Sequence, residues 1–100
     1  PLILYNVTVK VERDIHEDWL AWMRKEHIPD VLSTGHFVSH RICRLLHEEE
    51  DGITYAVQYF AHSLEDIQAY QQGHAQRLQA EHARRYKDRF VAFRTLMEIV

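Results

Sequence analysis

The stretch His47-Glu48-Glu49-Glu50-Asp51-Gly52-Ile53-Thr54-Tyr55-Ala56-Val57-Gln58-Tyr59-Phe60-Ala61 decides the fold. An acidic run ends in Asp51-Gly52, a pair that favours a tight type I′ turn. A strand follows over Ile53 to Ala61, with Ile53, Tyr55, Val57 and Tyr59 on one face. The segment before the turn, His36 to Leu46, therefore reads as an antiparallel partner strand, although His40, Arg41 and Arg44 break its alternation. The acidic run itself reads as a solvated hairpin tip.

Each side of this hairpin carries a helix and, beyond it in the sequence, one further strand. Leu2 to Val11 alternates with period two and is rich in β-branched residues, hence a strand. Asp14 is placed to cap a helix, with Glu17 as its capping-box partner. Ile15, Trp19, Trp22, Met23 and Glu26 then share one helical face. Pro29 disfavours a helical Ile28 and is expected to end or kink this helix, and Gly35 suits its final stop. Ser63 starts a second helix, whose inner face reads Ile67, Gln71, His74, Leu78 and His82. Gly73 weakens that helix by about 1 kcal/mol relative to alanine and suggests a close approach there. Phe90 to Val100 forms the last strand.

The order β-α-β-β-α-β over a single domain, residues 1–100, predicts a ferredoxin-like α+β fold: a four-stranded antiparallel sheet with two helices on one face. Leu2 and Leu4 in the first strand, and Phe90, Ala92 and Leu96 in the last, supply a second apolar row. Such a face is expected to be covered by a second copy of the chain, sheet against sheet.

The chain has 100 residues, 12 basic against 15 acidic, 8 His and a single cysteine, Cys43. A chain this long buries roughly 65% of its unfolded surface, enough for a modest core. The slight acidic excess argues against nucleic-acid binding. No apolar run is long enough to cross a bilayer, no leader peptide is visible, and one unpaired cysteine suits a reducing cytoplasm.

Tyr5-Asn6-Val7-Thr8-Val9, Trp19-x-x-Trp22-Met23, His27-Ile28-Pro29, Thr34-Gly35-x-Phe37, Tyr55-x-Val57-Gln58-Tyr59-Phe60, His74 and Phe90-Val91-Ala92-Phe93-Arg94-Thr95 together resemble one family. It is an uncharacterised family of small bacterial proteins, common in Bacteroidetes and filed as a domain of unknown function. The resemblance implies the ferredoxin-like fold, in the dimeric α/β-barrel group. It carries over no catalytic residues. That wider group includes haem-degrading enzymes, cofactorless quinone-forming monooxygenases and plain ligand-binding proteins, so the fold alone decides no function.

Glu26 is the residue most out of place, because an inward carboxylate needs a partner. His27, His74, Arg41, Tyr5, Tyr55 and Tyr59 are its candidate partners. Together they read as a pocket between helices and sheet in which Glu26 and His74 do acid-base work, or else as a structural polar network. The other histidines, at 16, 36, 40, 47, 62 and 82, read as surface residues. No spacing suits a metal site: His36 and His40 stand about 13 Å apart along a strand. Haem on His74 or His27 is open only by analogy with the fold group, and the cofactor is unknown. Cys43 has no predictable base and reads as structural. Arg77, Arg84, Arg85, Lys87 and Arg89 complement the end of the second helix.

The functional expectation is a homodimeric, non-catalytic module binding a small molecule or a protein, with no nucleic-acid or membrane partner. One alternative is a cofactorless or haem-dependent oxidoreductase using the pocket. A second is a tautomerase using the Pro1 amine as base with Arg41 or Arg94 nearby.

Overall fold

In a computed structural model, described over residues 1–47 and 49–100, four strands form one antiparallel sheet. They are β1 (Ile3–Val11), β2 (Ser39–Arg44), β3 (Ile53–Ala61) and β4 (Phe90–Glu98), in the spatial order β2-β3-β1-β4. β1 is central and pairs with β3 from Ile3↔Ala61 to Val11↔Ile53 and with β4 from Ile3↔Glu98 to Val11↔Phe90. The connections between the sheet's strands carry two helical rods. This is the ferredoxin-like α+β arrangement that the sequence predicts.

The parity of the strands sorts the side chains. Tyr5, Val9 and Val11 of β1 and Ile53, Tyr55, Val57 and Tyr59 of β3 lie in the core with Trp19, Met23, Ile67 and Leu78 of the rods. The registers put Phe90, Ala92 and Arg94 on the same side, opposite Val11, Val9 and Val7. So the Phe90-Ala92-Leu96 row faces the helices, which corrects the expectation that it is the spare one. The row facing away from the helices is Val91, Phe93, Thr95 and Met97, and Val91 and Phe93 are 67% and 63% exposed.

Each rod contains a π turn. The first runs as a 3-10 turn (Arg13–Ile15), α1 (His16–Trp22), a π turn (Met23–His27) and α2 (Ile28–Ser33). The second runs as α3 (Leu64–Tyr70), a π turn (Gln71–Ala75) and α4 (Gln76–Arg85). A π turn inserts one residue into the helical repeat. The amide of Ile28 accordingly bonds the carbonyl of Met23, five residues back. Glu26 is thereby rotated out to solvent and His27 takes the inward place. This corrects the placement of Glu26 in the middle of the Trp19-Trp22-Met23 face. Pro29 has no N–H to return to the preceding turn. It sits in the first turn of α2, right after the π turn, so the rod continues where an ending or kink is expected.

The second π turn acts likewise. Gln71 is exposed and Ala75 is buried, while Leu78 and His82 regain the inward positions the spacing predicts. A Cβ added at Gly73 would meet nothing within 4 Å, so this glycine marks no close approach.

The caps divide. Ser63 caps α3 as expected, its Oγ accepting from the Asp66 amide at 3.2 Å. Asp14 makes no cap; its carboxylate accepts from Arg89 at 2.7 and 2.8 Å. Gly35 closes the first rod at φ +84°.

The hairpin differs from the expected turn. Glu49 and Gly52 bridge one another, and Glu50 and Asp51 form the turn between them. Gly52 does not take a positive φ. It is needed for proximity, because a Cβ there would meet the Val11 carbonyl oxygen at 2.6 Å. The acidic tip is also not merely solvated: Lys10 Nζ lies 2.6 Å from both Glu49 and Asp51. Glu48 of that run lies outside the described residues.

Gly52→Ala should lower stability by about 1–3 kcal/mol, as a clash with rigid backbone does. Gly73→Ala should be neutral or stabilising by up to about 1 kcal/mol. Chemical denaturation of the two variants checks the contrast.

Candidate ligand-binding site

The two rods leave the β4 edge of the sheet less covered than its centre. A cavity of about 60 Å³ opens there between rods and sheet. Its apolar walls include Val7, Val9, Val31, Val57, Met23 and Phe90. Its polar lining is Tyr5, Tyr59, Tyr70, His27, His82, Gln79 and Arg94. At roughly 10–15 Å³ per water, this space takes the equivalent of about four to six waters.

His82 roofs the cavity and is fixed by Trp19. The indole Nε1–H can only donate, and it donates to His82 Nε2 at 2.9 Å with both groups buried. His82 must therefore be neutral there, with its proton on Nδ1. Burial, then the nearby His27 and Arg94, push its pKa down to about 4. His27 is likewise lowered to about 4 by burial and by Arg94. The two rings stand 5.7 Å apart, and Trp22 packs at 5.2 Å from His27 and 5.9 Å from His82. His27 Nδ1 is buried and has no hydrogen-bond partner among the described residues.

Tyr5, Tyr59 and Tyr70 form the other end. Tyr5 lies 6.1 Å from Tyr59 and 5.9 Å from Tyr70, with Phe37 stacked on Tyr5 at 6.0 Å. Burial raises the phenol pKa of Tyr59 and of Tyr70, so both remain protonated donors at neutral pH.

The structure thus brings Tyr5, His27 and Tyr59 together and leaves the other sequence candidates elsewhere. Glu26 faces solvent. His74 sits half-buried at the second π turn, accepting from Arg77 at Nδ1 over 3.1 Å, with His36 5.6 Å away. Tyr55 bonds His16 Nδ1 through its hydroxyl at 2.9 Å and packs on Trp19 at 5.0 Å. Arg41 is on the helix-free face, donating to Gln58 at 2.8 Å and lying over Phe60. The Glu26–His74 acid-base pair is therefore not assembled. Pro1 is exposed and lies outside the cavity lining.

Tyr70, Gln79, His82 and Arg94 line the cavity without being placed in this pocket by sequence reasoning, where Arg94 figures only as a companion of Pro1. His82 reads there as a surface histidine, although it follows Leu78 by four on the inward stripe. Arg94 sits between Ala92 and Leu96 in an inward strand row, where a cation is itself a signal. The basic residues near the end of the second rod are partly engaged: Arg85 lies over Trp22, and Arg89 pairs with Glu12 and Asp14.

Among the described residues no group of His, Cys, Asp or Glu is placed to hold a metal. The cavity is too small for a porphyrin, since sites for molecules smaller than haem already need roughly 300 Å³ or more. Among the described residues no helix is long and apolar enough to cross a membrane.

Fold and site together define a ferredoxin-like α+β protein with a small, partly polar cavity between its rods and its sheet. The chain belongs to the DUF4286 family, a domain of unknown function whose model matches residues 2–100. No curated protein matches it in sequence. Among solved structures it is similar to an EthD-like protein from Ralstonia eutropha JMP134, at 16% identity and TM-score 0.75, covering 99% of this chain and 92% of that one. A dimeric ferredoxin-like protein from an uncultured marine organism matches at 16% identity and TM-score 0.71, covering 98% and 94%. SnoaB, a cofactor-independent oxygenase from Streptomyces nogalater, matches at 13% identity and TM-score 0.66, covering 99% and 93%. At such identities the likeness is one of fold.

Stability should fall in acid because of the two buried histidines. Their folded pKa values lie near 4 against 6.5 for the free side chain, so between these pH values the unfolded chain holds protons that the native one does not. Unfolding free energy should therefore drop as pH falls through this window, by up to about 1.4 kcal/mol per pH unit for each histidine. In His82→Gln the slope should shrink by roughly half, read from urea unfolding across the window.

Proposed function

We propose that the protein is a homodimer that binds a small molecule in the cavity of each protomer. The carrying observation is a buried polar atom with nothing to bond: His27 Nδ1 has no protein partner among the described residues, in a cavity that Tyr5, Tyr59 and Tyr70 also line. Buried polar groups are nearly always satisfied, so such an atom is suited to a bound molecule. His27, Tyr5 and Tyr59 are the ligand contacts from the sequence reading that this proposal keeps.

The dimer contact is the helix-free sheet face. Leu4, Val91, Phe93 and Met97 give it an apolar surface at the β1–β4 side. Hydrogen bonds link Arg41, Gln58, Asn6 and Thr8 in a row across β2, β3 and β1 beside this apolar surface. A fold neighbour described as dimeric supports this choice. The single exposed cysteine, Cys43, suits a reducing bacterial cytoplasm.

A second reading, a cofactor-independent oxygenase, is favoured by one observation. The cavity holds neutral imidazoles and phenols in apolar surroundings, in a fold shared with SnoaB. Oxygen uptake that begins only when the ligand is added would select it.

Native mass spectrometry of untagged protein tests the main reading. The expected result is a dimer carrying a small adduct. Phe93→Glu should leave a folded monomer, and Ala92→Leu, which fills the cavity from β4, should leave a dimer without adduct. A wild-type monomer, or an adduct retained by Ala92→Leu, would contradict it.

A further inference from the structure

We propose that the molecule taken by this cavity is a small organic anion, a carboxylate or enolate, whose charged oxygens are held by Arg94. The proposal rests on the cavity being a ligand site and names the chemistry of what enters. Arg94 stands in the inward row of β4, opposite Val7. Arg89, five residues earlier, is engaged by Glu12 and Asp14, whereas Arg94 has no ion pair or hydrogen bond among the described residues. Among the described residues the cavity lining contains no aspartate or glutamate, so none of them neutralises this cation. Its field reaches the whole site: Arg94 disfavours protonated His27 and His82 and favours ionised Tyr59 and Tyr70.

The arrangement also orients the guest. Arg94 is exposed at the mouth, while the valine and methionine walls lie inward. An anion would therefore place its charge at the mouth and its carbon body inside. The guanidinium fork matches two oxygens of a carboxylate or of a chelating enolate. The phenols add neutral donors, which an oxyanion accepts from without bringing in a counter-charge. The apolar walls favour an organic anion over an inorganic one, which would leave them uncovered. The space for about four to six waters suits a body of a few carbons.

Propionate and propionamide are the probes, because they share a shape and differ in charge. Titration by saturation-transfer NMR at neutral pH should show propionate binding at least about tenfold more tightly than propionamide, as a charge-assisted pair implies. In Arg94→Gln that preference should vanish, with the thermal midpoint unchanged because the side chain is exposed and unpaired. Equal binding of acid and amide to the wild type, or a preference that survives Arg94→Gln, would overturn the anion assignment and leave the cavity as a ligand site. Failure of both probes to bind at tens of millimolar would overturn the anion assignment and the ligand-site reading together. Ala92→Leu should abolish binding of both probes.

Discussion

The Trp19 indole N–H has one option, to donate, and it donates to His82 Nε2. This bond ties the first rod to the second above the sheet. It holds His82 in one tautomer and one charge state, because a protonated Nε2 would point a second N–H at the indole. The cavity-lining rings His27, His82 and Phe90, and Trp22 packed behind them, take their positions around this clasp, with His82 and Phe90 only 4.4 Å apart edge to face. Breaking the bond leaves a buried donor and a buried acceptor, which is costlier than the bond is strong.

The clasp also explains the polarity of the site. Two imidazoles are held neutral by burial, and among the described residues the full charge in the lining, Arg94, belongs to the strand and not to the rods. The cavity therefore has a positive mouth, neutral donors within and apolar walls. Among the described residues no carboxylate lines it. The likeness to an oxygenase fold is compatible with this, but the chemistry of the site rests on the side chains this chain supplies.

Much of the fold is legible in the sequence because strands and rods announce themselves by period. Ile53 to Ala61 begins and ends where the alternation does, and Ser63 caps where its side chain can reach Asp66. The failures have one main cause. A sequence read at 3.6 residues per turn places Glu26 inward and gives no hint of π geometry, and one inserted residue exchanges Glu26 for His27. At the second π turn the same shift buries Ala75 and leaves His74 half-buried outside the cavity lining. His82 and Arg94 are legible in principle, a histidine on an inward stripe and an arginine in an inward strand row. A polar residue at such a position is easily read as an exception to the pattern, and here it is the signal. The Asp51-Gly52 turn misleads for a different reason: glycine is needed for contact with the Val11 carbonyl and not for its torsion.

The central claim is that His82 is a neutral acceptor that clasps the rods and roofs an uncharged interior. Long-range ¹H–¹⁵N correlation of the histidine rings tests it most directly. The account predicts a bare Nε2 and a protonated Nδ1 on His82, unchanged from neutrality down to about pH 5, with titration near 4. A proton on Nε2 at neutral pH, or a titration near the ordinary 6.5, would contradict it.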